Sequence, residues 1–195
     1  MKFLRAWIFT QIASWALLFQ KRDLALAYFN KILERQPEHW VTMSRIAFIY
    51  AEAGERGRAR AQLKRVLTVR PNDADSWFNL GYLHQEDGDH HAAINAFDQS
   101  VAVREGHDRA WFGKALSLMA LGQFADAIVP LKKNVMLQPM SPHGHMELAR
   151  VYFKLGDLDR CLKRMHRLKA FDPKSAAVLE DETGIRVGVD RWWAS

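Results

Sequence analysis

The segment 74–107 reads ADSWFNLGYLHQEDGDHHAAINAFDQSVAVREGH, with Gly88 near its middle. A glycine there can adopt the left-handed backbone conformation that ends a helix and begins a turn. Gly81 before the turn and Ala93 after it are small, so two helices can approach closely at these positions. Phe97, four residues after Ala93, lies on the same helical face and supplies core volume. The segment therefore predicts two antiparallel helices joined by a short turn.

The same pattern recurs along the chain with a period of 34 residues. The turn glycine recurs as Gly54, Gly88, Gly122 and Gly156. The two small positions are occupied by Ala13, Ala47, Gly81, Ala115 and Ala149, and by Ala59, Ala93, Ala127 and Cys161. The large position holds Phe29, Leu63, Phe97, Leu131 and Met165, and the helix-ending proline is Pro37, Pro71, Pro139 or Pro173. The period predicts an all-α fold of five helix-turn-helix repeats, at about 6–39, 40–73, 74–107, 108–141 and 142–175.

Composition indicates an ordinary globular protein, which we interpret as a single domain over residues 1–195. The chain is 49% hydrophobic and 26% charged, and its glycines and prolines are not gathered in a linker. Cys161 is the only cysteine, which excludes an intrachain disulfide and a zinc site with four thiolate ligands. A reducing compartment is compatible with this, and we expect the protein to be cytoplasmic.

The segment from Ala6 to Phe19 is mostly apolar and follows a short basic stretch, as in a signal peptide. Lys21 and Arg22 follow it, where a signal peptide has small residues at its cleavage site. The segment is also shorter than the roughly 20 residues that span a bilayer as a helix. We therefore expect it to be retained as the first helix of repeat one.

The order small, large, glycine, small, large, proline at this period resembles the tetratricopeptide repeat family. The resemblance implies a right-handed α-solenoid whose first helices line a concave groove, in which extended peptides or partner helices bind. The chain departs from the family pattern at Gln20, which replaces a turn glycine, and at Glu105, which replaces a proline. Lys114 replaces an aliphatic residue, and we expect its stem to carry the ammonium out to solvent.

The family's groove positions, carried over repeat by repeat, give a stripe of candidate binding residues. The stripe consists of Arg45, Phe48, Phe78, Asn79, Tyr82, Phe112, Leu116, Met119, Met146, Arg150 and Phe153. Aromatic and methionine side chains beside arginine are typical of interface centres. A protein or peptide partner of mainly hydrophobic character is therefore expected, and the alternative is that these side chains pack within the fold.

Some members of the family grip the acidic carboxyl termini of heat-shock chaperones with a clamp of lysine, asparagine and arginine side chains. Asn79 and Arg109 would suit such a clamp, but Ser44, Phe48 and Gly113 occupy its other positions. Too few donors remain to hold two carboxylates, which argues against this use.

The two ends of the chain give a second set of candidates, the docking residues Trp7, Trp15, Trp192 and Trp193. The apolar residues of the first helix point in nearly every direction, so one repeat cannot bury them all. Contact with another subunit, with a membrane surface or with the chain's own tail would each cover them. Residues 176–195 are expected to form a cap helix, begun by Ser175 and ended by Thr183 and Gly184, and a tail that docks through its tryptophans.

Enzyme signatures are absent, and no cofactor or metal site is predicted. The histidine pairs at 90–91 and 143–145 are interpreted as solvated, since neither offers three convergent ligands. The leading hypothesis is a non-catalytic scaffold, adaptor or chaperone in the assembly of a complex. The alternative is a membrane-associated assembly factor that uses the first helix and a basic outer face. Nucleic-acid binding is the least favoured hypothesis, because the basic residues are not interleaved with aromatic ones.

Overall fold

A computed structural model describes residues 2–194, with side chains from Arg5 to Trp193. Met1 and Ser195, which the sequence analysis assigned to the single domain, lie outside the described residues. Within residues 2–194 the chain forms eleven α-helices and one short 3₁₀ turn, and no strand. The prediction of an all-α fold is confirmed.

The helices alternate as first and second members of successive hairpins. The first helices are α1 (Lys2–Leu18), α3 (Trp40–Glu52), α5 (Ala74–Glu86), α7 (Asp108–Ala120) and α9 (Pro142–Lys154). The second helices are α2 (Arg22–Leu33), α4 (Arg56–Val69), α6 (His90–Val103), α8 (Phe124–Leu137) and α10 (Leu158–Phe171). They are followed by α11 (Pro173–Thr183) and a 3₁₀ turn at Trp192–Ala194. The helices α3, α5, α7 and α9 begin at the residues where the sequence analysis starts repeats two to five.

The helices are grouped in two compact units, Met1–Leu83 and His84–Ser195. In the first unit, α1 packs on α2, α2 on α3 and α3 on α4. In the second unit, consecutive helices from α6 to α9 pack on one another in the same way. There α9 also packs on α10, and α11 packs on both of them. Each unit has its own apolar core, which includes Phe29 and Ile46 in the first unit and Leu131 and Met165 in the second.

The two small positions of the repeat are buried in both units. In the first unit Ala13, Ala47 and Ala59 are enclosed by neighbouring helices, and in the second unit Ala115 and Ala149 are equally buried. A larger side chain at these positions would push the helices apart, because close helix packing leaves only about 8–10 Å between axes. The small columns therefore set the spacing of the hairpins.

In repeats three and four, a tryptophan at the same repeat position donates a hydrogen bond to the turn that precedes its hairpin. The indole Nε1 of Trp77 donates to the carbonyl oxygen of Pro71 at 2.7 Å. One period later, Trp111 Nε1 donates to the carbonyl oxygen of Glu105 at 2.8 Å. The acceptor is a backbone carbonyl, so a residue other than proline can supply it. The departure at Glu105 therefore leaves this contact intact.

The turn between the two helices of a hairpin requires a left-handed residue. Gly54, Gly88, Gly122 and Gly156 have φ values of 73, 77, 74 and 74°. Gln20 occupies the same repeat position and adopts a φ of 58°, which is unfavourable for a residue with a Cβ atom. Repeat one thus keeps the geometry of the turn at a conformational cost.

Replacement of Gln20 by glycine should therefore raise the free energy of unfolding by about 1 kcal/mol, since the left-handed strain disappears. Thermal unfolding followed by circular dichroism would measure the gain as a higher Tm. Gln20→Asn should give a smaller gain, because asparagine tolerates this conformation better than glutamine. An unchanged or lower Tm for Gln20→Gly would contradict the assignment of strain to this turn.

Candidate functional site

The candidate groove residues of the first unit differ in their access to solvent. Phe48 on α3 and Tyr82 on α5 are 63% and 48% exposed, although both are large aromatic side chains. Asn79 and Arg45 are also exposed, and Arg45 lies over the ring of Phe29 at 5.9 Å. These four side chains are in contact with solvent and available to a guest.

Phe78 is a correction to the predicted stripe, because only 8% of it is exposed. On α5 it is four residues after Ala74 and three before Gly81, and both of these are buried. Residues at such spacing share one face of a helix, and here that face is the packed one. Tyr82 lies about 40° further round the helix, which is enough to bring it to solvent. We therefore leave Phe78 out of the binding surface proposed below.

In the second unit, Met119, Arg150 and Phe153 line a single cleft of about 300 Å³. Its other walls are formed by Phe124, Lys154, Glu182 and Thr183. The cleft is thus built from α7, α8, α9 and α11. Met119, Phe124 and Phe153 also pack against the buried core of the unit, as do Phe112 and Met146. The apolar wall is therefore backed by the core rather than free to collapse.

Arg150 is held in this cleft by two carboxylates. Its Nε and Nη2 donate to the two oxygens of Glu182 at 2.8 and 2.7 Å, and its Nη1 donates to Glu147 at 2.5 Å. The hydrogen bonds with Glu182 raise the pKa of Arg150 and hold the pKa of the Glu182 carboxyl below its ordinary value. The guanidinium is therefore a fixed part of the wall, and a guest carboxylate would have to displace Glu182 to reach it.

Phe124, Lys154 and Glu182 add walls to the cleft that the repeat pattern does not predict. Glu182 lies on α11, outside the 34-residue period, so the repeat pattern gives no signal for it. Leu116, which was predicted as a groove residue, is partly buried on α7 and is not among the lining residues. Lys114, expected to end in solvent, instead places its Nζ 2.5 Å from an oxygen of Asp98 on α6.

The cap helix α11 begins earlier than expected. Its N-cap is Asp172, whose carboxylate accepts hydrogen bonds from the backbone N–H and the hydroxyl of Ser175 at 3.2 and 2.8 Å. Aspartate is among the preferred N-cap residues, and Pro173 at the first helical position needs no hydrogen-bond partner. Ser175 therefore lies inside the first turn. Gly184 ends the helix with a φ of 73°, as predicted.

The tail after Gly184 docks on its own unit. Val187 is buried, its N–H donates to Glu180 at 2.7 Å, and its carbonyl accepts from Lys169 at 2.9 Å. The predicted anchors behave differently, since Trp192 is 72% exposed and Trp193 only partly buried. The tail is held by hydrogen bonds, by the packing of Ile185, Val187 and Val189 on the core, and by the ion pairs of Arg186 and Arg191 with α11.

The remaining docking candidates, Trp7 and Trp15, are 61% and 60% exposed on α1. Neither is covered by another part of the described chain. Among the described residues, no helix combines the length and the apolar character needed to cross a bilayer.

Comparison with known proteins identifies the repeat. Models of the tetratricopeptide repeat match residues 81–132 and, with a second model, residues 16–80 and 118–180. The BBSome complex member bbs-4 of Caenorhabditis elegans is 24% identical over 117 residues, which cover 60% of this chain and 25% of that protein. The chain spans a quarter or less of the length of several curated relatives that it matches.

Solved structures show the same fold. A crystal structure of MamA protein superposes with a TM-score of 0.78 at 18% identity, over 94% of this chain and 97% of that one. YrrB, described as a TPR protein with an unusual peptide-binding site, gives a TM-score of 0.75 at 15% identity, over 89% and 90% of the two chains. The repeat period, the helical hairpins and the family matches agree, and the chain belongs to the tetratricopeptide repeat family.

Proposed function

We propose that the chain is a non-catalytic scaffold or adaptor that binds a peptide or an extended segment of a partner along the first helices of its repeats. The observation that carries the proposal is the exposure of two large aromatic residues, Phe48 and Tyr82, on α3 and α5. Most large aromatic side chains are buried in a folded protein, and exposed ones are enriched at binding sites.

The cleft of the second unit supports the same proposal. A volume of about 300 Å³ is at the lower end of the range for ligand pockets, and it suits one or two apolar side chains of a guest. Met119 and Phe153 offer an apolar wall, while Arg150 and Glu182 balance each other's charge. We therefore expect the guest segment to be mainly hydrophobic.

The names of similar proteins fit this role. One relative is named as a member of the BBSome complex, and one structural neighbour is described as having a peptide-binding site. We infer that this chain likewise works in the assembly of a larger complex. We place it in the cytoplasm, because its one cysteine is buried and unpaired and fits a reducing compartment.

The test is affinity purification of the tagged chain from its native cell, with partners quantified by mass spectrometry. The variant Phe48→Ser/Tyr82→Ser should recover the specific partners at least tenfold less than the wild type, on the order expected when hot-spot side chains are lost. Both residues are exposed, so helicity and Tm should stay unchanged.

A matched control replaces two exposed apolar residues of the second helix α8, Val129→Ser/Met136→Ser. These residues are 63% and 64% exposed but lie off the proposed surface. The control should recover the partners as the wild type does. Equal recovery by the Phe48/Tyr82 variant would refute the proposed binding surface.

A further inference from the structure

The helix α1 has one side that is packed against its own hairpin. Ala13 and Ala16 are buried there, and the ring of Phe9 lies 5.6 Å from the ring of Tyr28 on α2. Small residues bring the two helices close, and the aromatic contact fixes their rotation. This side of α1 is therefore committed to the fold and is not available to a partner.

The opposite side of α1 is uncovered and largely apolar, with Gln11 as an exposed polar residue within it. We call it the outer face of α1, and it consists of Trp7, Ile8, Trp15, Leu18 and, just after the helix, Phe19. These side chains are 61, 40, 60, 69 and 66% exposed. At about 100° per residue, positions 7, 8, 15 and 18 fall within one arc of about 100°, and the exposed Gln11 lies inside the same arc. The rings of Trp15 and Phe19 extend it by stacking at 6.3 Å.

Such a surface needs a cover, because large exposed apolar patches mark sites of protein or membrane contact. The outer face of α1 carries two tryptophans, which prefer the boundary between water and lipid because the ring is apolar and the N–H is polar.

The charges around the outer face distinguish between two possible partners, a second copy of the chain and a lipid surface. Residues 1–22 contain no acidic residue, while Arg5 and Lys21 lie exposed near the two ends of α1. The next acidic residue along the chain, Asp23, lies 3.9 Å from Arg22, which also pairs with Glu55 at 3.1 Å. Two copies that met through this face would bring Arg5 and Lys21 of each copy onto a surface whose residues 1–22 offer no carboxylate. An anionic lipid surface would balance them.

We propose that the outer face of α1 binds the surface of an anionic lipid bilayer, with α1 lying parallel to the bilayer plane. Trp7 and Trp15 enter the headgroup region, and Leu18 and Phe19 reach the outer part of the acyl chains. Arg5 and Lys21 meet lipid phosphates at the two ends. This inference goes beyond the proposed scaffold function and uses none of the residues assigned to the partner-binding surface.

The experiment is flotation of the full chain with vesicles of phosphatidylcholine alone or mixed with phosphatidylglycerol. The chain should float with the mixed vesicles and do so less at high salt, because screening weakens the contact with phosphates. Trp7→Ser/Trp15→Ser should lower the bound fraction at least tenfold, while Trp192→Ser, at an exposed tryptophan elsewhere, should leave it unchanged. Arg5→Gln/Lys21→Gln should weaken binding to the mixed vesicles about fivefold per charge removed.

Three results would overturn the proposal. The first is a wild type that stays in the unbound fraction with mixed vesicles, and the second is a Trp7/Trp15 variant that floats as the wild type does. In a third, light scattering without lipid would show a wild-type dimer that the same variant converts to a monomer, which would assign the face to self-association. The Trp7/Trp15 variant should still capture the partners of the scaffold, so failure of one proposal is separable from failure of the other.

Discussion

Phe97→Ala should lower the free energy of unfolding by about 3–5 kcal/mol, the range measured when a buried aromatic ring is removed. Phe97 is fully buried on α6 of the second unit. A Cβ atom built on Gly113 of α7 would lie 2.6 Å from the Cζ atom of the Phe97 ring. The ring thus fills the space left by the missing side chain of Gly113, and alanine would leave a cavity. Urea unfolding followed by circular dichroism would report the loss as a lower midpoint.

The control for this prediction is Phe48→Ala, the same substitution at a side chain that is 63% exposed. It should change the free energy of unfolding by no more than about 0.5 kcal/mol, because little apolar contact is lost at an exposed position. A similar loss for both variants would contradict the assignment of Phe97 to the core and of Phe48 to the surface. A small loss for Phe97→Ala would contradict the packing of α6 on α7.

The sequence predicted those features of the fold that depend on one position of the repeat. Gly54 and Gly88 are recognisable because only glycine adopts their positive φ without strain. Ala59 and Ala127 are recognisable because any larger side chain would separate two helices of one hairpin. The same steric requirement applies at the same position of each repeat. The residues that meet it therefore recur with the 34-residue period and can be recognised in the sequence. Gln20 shows where recognition from the sequence fails, because the turn keeps its left-handed geometry although the residue is not glycine.

The candidate site was predicted less well, because exposure depends on packing and not on the period. Phe78 and Tyr82 are four residues apart on α5 and appear equivalent in the sequence, yet 8% of one and 48% of the other is exposed. A rotation of about 40° about the helix axis separates them, which is finer than a sequence pattern can resolve. Phe112 and Phe153 are intermediate, since both pack partly on the core and partly meet solvent.

The contacts of α11 could not be predicted from the repeats at all. Glu182 has Arg150 as its partner, and Glu180 binds the tail at Val187. In the sequence both glutamates read as ordinary solvated residues of a short helix. Each of these contacts belongs to one place in the fold, so the repeat period does not predict it. Only the folded structure shows which carboxylate is buried.

Glu180→Ala should release the tail from α11. The carboxylate is only 2% exposed and accepts the N–H groups of Val187 and Val189 at 2.7 and 3.2 Å. It also accepts from Arg191 at 3.4 Å. Removal of a buried acceptor leaves its donors unsatisfied, at about 1–3 kcal/mol for each group. Hydrogen exchange at the Val187 and Val189 amides should therefore become at least tenfold faster, and trypsin should cleave earlier after Arg186.

The same contact should depend on pH. Burial by itself raises the pKa of Glu180, but the hydrogen bonds from the N–H groups of Val187 and Val189 and from the Arg191 side chain outweigh it, and the pKa lies below its ordinary value. The folded state thus favours the ionised form. Its contribution is complete above the unfolded pKa of about 4.3 and is lost as the pH falls through the lower, folded value. The two amides should stay protected at neutral pH and exchange faster in acid.

Glu180→Gln separates the charge from the acceptor, because the amide oxygen still accepts hydrogen bonds but does not titrate in this range. Its tail should be weakly held at every pH, and the acid-dependent step in exchange should shrink. Asp181 also pairs with Arg186 and Arg191, at 3.3 and 2.7 Å, and its pKa is lowered by the Arg191 hydrogen bond. Asp181→Asn is therefore the control that measures how much Asp181 contributes to the pH dependence of the tail. An undiminished acid step in Glu180→Gln, with a loss of that step in Asp181→Asn, would assign the pH dependence of the tail to Asp181 instead.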